Sequence, residues 1–281
     1  MKTALILEGG GMRSLYSAGV LDVLMENNIE TDVAVGVSAG ALFGINYKSK
    51  QIGRVLRYNL KYAGNSEILG FRCMLKTGDL MSKQFYFDDL PFRLDKMDCD
   101  TYRACKTKFH AVVTNMLTGE AEYKNIYDLE NEDCMEYLRA SGSLPFLSRP
   151  VVVDGIPYLD GGVADSVPIE EYMKRDYDKI IVVLTRPYGY RKNGSIHGAD
   201  IIYRKYPNFV KAMKNRNSVY NAQYDLIDKL ENEGRIFVIR PSEFIDISRT
   251  EKNHAKMKQM YNLGYADMQN LLEQLKEYII K

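Results

Sequence analysis

Residues 34 to 42 read AVGVSAGAL, and few chain geometries accommodate a serine held between glycines directly behind an apolar run. Gly36-Val37-Ser38-Ala39-Gly40 fits the pattern G-x-S-x-G. Where a strand turns sharply into a helix, this pattern pushes the hydroxyl out at the turn, and small residues such as Gly36 and Gly40 let neighbouring backbone approach. The same five residues also fit a plain connection in which Ser38 only caps the helix. The surrounding pattern bears on the choice. Thr3 to Leu7 is a compact apolar run, Gly9-Gly10-Gly11 follows, and Leu15, Ala18, Leu21 and Leu24 then recur at helical spacing. A second strand is expected over Asp32 to Val37 and a helix over Ala39 to Tyr47, which puts Ser38 on the junction. Phe109 to Thr114, Val151 to Val153 and Lys179 to Thr185 read as further strands, the last carrying IIVVL, a run suited to burial on both faces. The expected class is α/β, with three layers and a mostly parallel central sheet flanked by helices.

Between the second helix and the Phe109 strand, the 66–92 segment is rich in methionine and aromatics (ILGFRCML, QFYFDDLPF) and reads as short helices or a flap. It can close over an apolar pocket as a lid or complete the core, and the core is the default for such residues. After Pro187 the pattern changes to a polar loop around Arg191 to Gly198, a helical alternation, one strand within Gly234 to Arg240, and a tail helix from Ala255 with a one-faced apolar stripe. The expected division is residues 1–187 as a catalytic α/β domain and 188–281 as a mostly helical C-terminal extension packed on it.

With 281 residues and 46% apolar composition, the chain can bury a large core. Its four cysteines (Cys73, Cys99, Cys105, Cys134) lack C-x-x-C spacing and nearby histidine pairs, so no metal site is expected. MKTALILEGG offers a lysine and then only four apolar residues before Glu8, too few for a signal-peptide core, and no run reaches the ~20 apolar residues of a membrane span. A cytoplasmic protein is expected. The net charge of +1 gives no global attraction to nucleic acid or membrane. Locally, however, Arg186 to Arg216 carries eight basic residues against one acid, Asp200, with tyrosines interleaved. That pattern suits peripheral contact with anionic lipid headgroups. The default is a solvated helix face balanced by Asp225, Asp228, Glu231 and Glu233. No nucleic-acid recognition motif is present, and no nucleic-acid partner is expected.

EGGGMRS also matches the start of a dinucleotide fingerprint, except that Ser14 stands at the third glycine. The acids that would hold a ribose, Glu30 and Asp32, fall at the beginning of the second strand, whereas Ser38 lies at its far end beside the glycine loop. Ligand and catalytic groups gather at the carboxyl ends of parallel strands. Three consecutive glycines can turn backbone N–H groups toward one point, and the Ala39 amide at a helix N-terminus can join them in stabilising an oxyanion. A serine needs a base to take its proton. None of His110, His197 and His254 has a recognisable catalytic context. Asp160, in YLDGGVADSVPI, is the better candidate, because Asp154-Gly155 reads as a hairpin turn delivering it to a strand end.

EGGGMRS, GVSAG, ASGSLPF and DGG, in this order and at these separations, resemble the patatin-like phospholipase family over roughly the first two-thirds of the chain. The segment IRPSEFIDISRTEKN, Ile239 to Asn253, is similar to the tails of bacterial patatin-like acyl hydrolases. The resemblance implies a Ser-Asp dyad, with Ser38 as nucleophile, Asp160 as base, and the backbone amides of Gly9, Gly10 and Gly11 as an oxyanion cradle. Arg13, Gly36, Gly40 and Gly161 would support that site. It further implies hydrolysis of lipid or phospholipid acyl esters through an acyl-serine, with no cofactor. The chain departs from the family pattern at Glu8, where aspartate is common, and at Ser14, where glycine is common. Two other functions stay open: nucleotide or dinucleotide binding through the glycine loop, and a catalytically silent binding protein on the same fold.

Overall fold

All five residues of Thr3–Leu7, strand β1, are buried, so this strand must be covered on both faces. A computed structural model of the protein, describing residues 1–280, shows how. After β1 come α1 (Leu15–Glu26), β2 (Val33–Val37), α2 (Ala39–Lys48), α3 (Arg54–Tyr62), α4 (Phe71–Thr77), a wide helical segment over Gln84–Leu94, and α5 (Cys99–Ala104). The middle of the chain forms β3 (Lys108–Asn115), β4 (Ala121–Asn125), α6 (Glu132–Gly142), β5 (Val151–Val153), β6 (Ile156–Asp160), α7 (Ile169–Lys174) and β7 (Lys179–Val183). The remainder is α8 (Ala199–Ile202), α9 (Pro207–Asn232), β8 (Phe237–Ile239) and α10 (His254–Ile280).

Hydrogen-bonded neighbours in the sheet run β5-β6-β3-β2-β1-β7-β8, with β4 also on β3. β1 pairs in parallel with β2 and β7, β2 with β3, and β7 with β8. Side chains alternate between the faces. Leu5, Leu7, Ala34 and Phe109 join the core beneath α1, α2 and α10, while Ala4, Ile6, Val33 and Val35 join a second core with Tyr220, Tyr224 and Ile227 of α9. The result is the three-layer α/β arrangement with C-terminal helices. β8 extends the same sheet, and residues after 188 contribute to both cores, α9 to one and α10 to the other.

Strand β3 brings the two ends of the site together. β4 covers one of its edges over His110–Thr114. The other edge is shared: β2 occupies it up to Val37, opposite Val112, and antiparallel β6 takes over at Asp160, opposite Val113. The residue after Val37 therefore meets the last residue of β6. Asp154 and Gly155 make the tight turn that returns β6, with φ of 51° and 76°.

The expected strands all form, with Lys179 to Thr185 ending at Val183 and Gly234 to Arg240 shortened to Phe237–Ile239. Strand β4 (AEYKN) carries no apolar pattern because none of its residues is fully buried. The 66–92 segment divides its roles. Phe85, Phe87 and Leu90 enter the core, whereas Phe71 and Leu75 stand 67% and 71% exposed.

Candidate active site

Two close approaches explain the glycines around Ser38. A Cβ on Gly36 would lie 2.5 Å from Ala41 backbone, and one on Gly40 would lie 2.5 Å from the Leu7 carbonyl oxygen. Strand β2 can thus fold back on helix α2, and α2 can lie against the end of β1, only without side chains there. Ser38 takes φ 56° and ψ −126°, a strained conformation for a non-glycine residue that aims its side chain away from both elements. Its hydroxyl donates to Asp160 Oδ2 at 2.6 Å across 122 residues of sequence.

Asp160 is held from several sides. Its N–H donates to the Ser143 carbonyl (2.8 Å), its carbonyl accepts from Thr114 Oγ1 (2.9 Å), and its Oδ1 accepts from Gly162 N (2.7 Å). Burial pushes this carboxyl above its ordinary range, opposed by the Arg216 guanidinium and by the hydrogen bonds from Ser38 and Gly162. A raised pKa makes it a stronger base than a solvated aspartate. Arg216 Nε in turn donates to the Gly162 carbonyl at 2.5 Å. Gly161 packs with no room for a side chain against the Val112 carbonyl.

The glycine loop lies against the serine: a Cβ on Gly9 would meet Ser38 Cβ at 2.8 Å. Gly9, Gly10, Gly11 and Ala39 donate to no backbone carbonyl, and all four line the same cavity as Ser38 and Asp160. Glu8, the departure from the family pattern, is buried and saturated with donors. It accepts from Thr185 N (2.6 Å), Thr185 Oγ1 (2.9 Å), Tyr220 OH (2.7 Å) and Tyr224 OH (2.9 Å). It thereby ties the glycine loop to β7 and α9.

The cavity measures about 290 Å³ and has two chemically different walls. Leu42 and Phe43 of α2, Leu138 of α6, and Leu69, Met81 and Phe87 of the 66–92 segment form an apolar arm. Arg13, Arg186, Lys192, Arg216 and Arg249 form the other. Three of these belong to the basic stretch flagged in the sequence, which the fold disperses. Arg191 pairs with Asp225 and Asp228, and Lys214 with Asp200. Arg204, Lys205 and Lys211 remain exposed.

None of the three histidines lines the cavity. His110 bonds Tyr172 OH, and burial lowers it to about 4. Asp32, one of the acids a dinucleotide reading requires, bonds Thr3 N (2.7 Å) and Thr3 Oγ1 (3.0 Å) at the start of β2. Glu30 pairs with Lys50. Among the described residues, no group of three His, Cys, Asp or Glu side chains converges on a metal position.

Sequence reasoning missed the contribution of ASGSLPF. Ser141 Oγ accepts from Ser38 N at 2.9 Å while the Ser143 carbonyl holds Asp160 N, so one short segment anchors both partners. The block was visible as a motif, but its role depends on α6 ending against β6. Thr185, Tyr220 and Tyr224 around Glu8, and Arg249 by the glycine loop, had no local signal.

The family described as patatin-like phospholipase matches residues 5–173. A domain of unknown function (DUF6363) matches residues 206–280. An uncharacterized protein, YjjU, of Escherichia coli (strain K12) is 26% identical over 193 residues, covering 66% of this chain and 52% of that protein. Lysophospholipase NTE1 of Kluyveromyces lactis is 25% identical over 97% of this chain, and the lysophospholipase nte1 of Aspergillus niger is similar to the same degree. The chain spans about half the length of the first relative and 19% and 18% of the two lysophospholipases. Among solved structures, VipD from Legionella pneumophila aligns with a TM-score of 0.48 at 15% identity, over 97% of this chain and 67% of its own.

Proposed function

Since the chain belongs to the patatin-like phospholipase family, as the match over residues 5–173 shows, we propose that it is a serine acyl hydrolase cleaving lipid acyl esters with Ser38 and Asp160. The observation that carries this reading is the 2.6 Å bond from Ser38 Oγ to Asp160 Oδ2 at a strained turn inside a half-apolar cavity. Ser38 Oγ attacks the ester carbonyl carbon while its proton passes to Asp160. The carbonyl oxygen becomes an oxyanion, met by the free N–H groups of Gly9, Gly10, Gly11 and Ala39. Such donors are typically worth about a hundred- to a thousand-fold in rate each. The ester C–O bond then breaks and the departing alcohol oxygen takes the proton from Asp160. Water attacks the acyl-serine, again giving a proton to Asp160, and Ser38 Oγ leaves with that proton as the carboxylic acid forms.

The apolar arm suits the acyl chain. Contact with an anionic membrane surface belongs to the same reading. It would use Arg204, Lys205 and Lys211 beside Ile201 and Ile202, which are 78% and 61% exposed.

A fluorophosphonate probe followed by peptide mapping tests the mechanism. Labelling is expected at Ser38 and lost in Ser38→Ala. Ser38→Ala and Asp160→Asn should each lower turnover of acyl esters by about a thousand-fold or more with an unchanged circular dichroism spectrum. Labelling at another serine, or full activity in Asp160→Asn, would overturn the assignment.

A further inference from the structure

The cationic wall of the cavity has too few carboxylates. Only two line it, Glu8 and Asp160. Both Glu8 oxygens already accept from Thr185, Tyr220 and Tyr224, and both Asp160 oxygens from Ser38 and Gly162. Facing them, Arg13, Arg186, Lys192, Arg216 and Arg249 have no carboxylate within ion-pair distance among the described residues. Arg13 Nε is buried without a hydrogen-bond partner of any kind. Lys192 Nζ rests over the Tyr220 ring, 3.3 Å from its centre.

Their positions are built rather than incidental. Asn221 of α9 clamps Lys192 on both sides, accepting from its N–H (2.8 Å) and donating to its carbonyl (3.0 Å). The Arg249 carbonyl accepts from Met12 N at 3.1 Å, locking that arginine against the glycine loop beside Arg13. Arg216 is fixed through Gly162. Gathering these charges with no anion among them is unfavourable. Burial and the neighbouring cations lower Lys192 to about 7 and Arg13 to about 10. A bound anion relieves both penalties.

We propose that Arg13, Lys192, Arg216 and Arg249 bind the phosphate group of a lipid headgroup, and that the residues after the patatin-like segment supply this half of the substrate site. A phosphate fits because it offers several strong acceptor oxygens to guanidinium forks and an ammonium at once. Lys192, Arg216 and Arg249 all lie beyond residue 173, and the last two fall within the region of unknown function, residues 206–280. That region therefore completes the substrate site with charge as well as covering the sheet. The inference rests on the acyl-hydrolase reading for the word headgroup, so the binding test avoids turnover.

Full-length Ser38→Ala protein is titrated with sn-glycerol 3-phosphate and, separately, with inorganic phosphate by calorimetry. Saturable binding of glycerol 3-phosphate is expected, tighter than inorganic phosphate. At pH 7 it should take up protons as Lys192 charges, read as a dependence of the heat on buffer ionisation. Lys192→Gln and Arg249→Gln, each in the Ser38→Ala background, should weaken binding about ten-fold or more, with circular dichroism reporting their fold. In protein with Ser38 intact, the kcat/KM ratio of a lysophospholipid over the monoacylglycerol of the same chain should fall toward one in the same two substitutions. Equal binding of inorganic phosphate would reassign the site to free phosphate and overturn the headgroup assignment. No binding of either, or a substrate ratio that both substitutions leave unmoved, would overturn the site while leaving acyl hydrolysis standing. Phosphate binding in a protein that hydrolyses no acyl ester would instead count against the enzyme reading alone.

Discussion

Asp160 and its neighbours set an expectation for pH that a histidine-based enzyme would not share. To act as the proposed base, Asp160 must be ionised, so activity should fall as pH drops through its pKa. Burial raises that pKa above the ordinary carboxylate value, and Arg216 holds it down. The acid limb of kcat/KM, measured with an uncharged ester, should therefore lie above ~3.9. In Arg216→Gln, where the opposing charge is gone, it should move to higher pH. His110→Gln should leave the limb in place, since His110 bonds Tyr172 OH and does not line the cavity. A limb that shifts with His110, or that stays fixed or falls in Arg216→Gln, would remove Asp160 from the role of base. Much of this was legible in the sequence. Ser38 and Asp160 carry compact motifs whose local geometry is nearly self-contained. Arg216 carries none, because its place beside Gly162 is fixed by how α9 crosses the sheet.

Helices α1 and α10 show how elements distant in sequence lock together. A Cβ on Gly264 would overlap the backbone of Tyr16, and one on Gly19 would overlap the backbone of Tyr261, so the two helices touch main chain to main chain. Tyr16 OH donates to Asp267 (3.0 Å), and Tyr261 OH donates to Asp22 (2.5 Å). The one-faced stripe of the tail was readable as a packed helix, but the partner was not, since two glycines and two tyrosine-carboxylate bonds only acquire meaning once the helices cross. Burial pushes the Asp22 carboxyl up to about 6 despite the donors Tyr261 and Gly53. In the unfolded chain it titrates near ~3.9, so between these values the folded state binds more protons. Its contribution to stability is fully present below the unfolded pKa and is lost as pH rises through about 6, a change on the order of 3 kcal/mol. Asp22→Asn keeps an acceptor for Tyr261 but cannot titrate. Urea unfolding at steps from pH 4 to pH 7 should show the difference between wild type and Asp22→Asn changing over that window; parallel profiles would mean Asp22 does not titrate as its burial requires.

A net charge of +1 conceals how the folded protein distributes its cations. The stretch from Arg186 to Arg216 reads as one basic surface because sequence places its charges side by side. Folding turns Arg186, Lys192 and Arg216 into the cavity, matches Arg191 and Lys214 with carboxylates, and leaves Arg204, Lys205 and Lys211 outside. The α/β class survived this ambiguity because buried strands announce themselves by apolar runs, whereas a charged side chain reads the same whether it ends in solvent or in a pocket. The outward cations lie next to exposed Ile201 and Ile202. Phe146 N donates to Tyr203 OH at 2.7 Å, bringing half-exposed Phe146 and Leu147 alongside. No helix among the described residues is long and apolar enough to cross a membrane. Three basic residues worth about 1 kcal/mol each near an anionic surface correspond to roughly a hundred-fold in partitioning. Sedimentation with phosphatidylglycerol-containing vesicles should exceed that with pure phosphatidylcholine by about this factor and weaken with salt. Replacing Arg204, Lys205 and Lys211 by Gln should erase the difference, while Ile201→Ser with Ile202→Ser should lower binding to both kinds of vesicle. Equal binding to the two vesicles by the unaltered protein would show that this face does not read lipid charge, and the phosphate chemistry would then belong to the cavity alone.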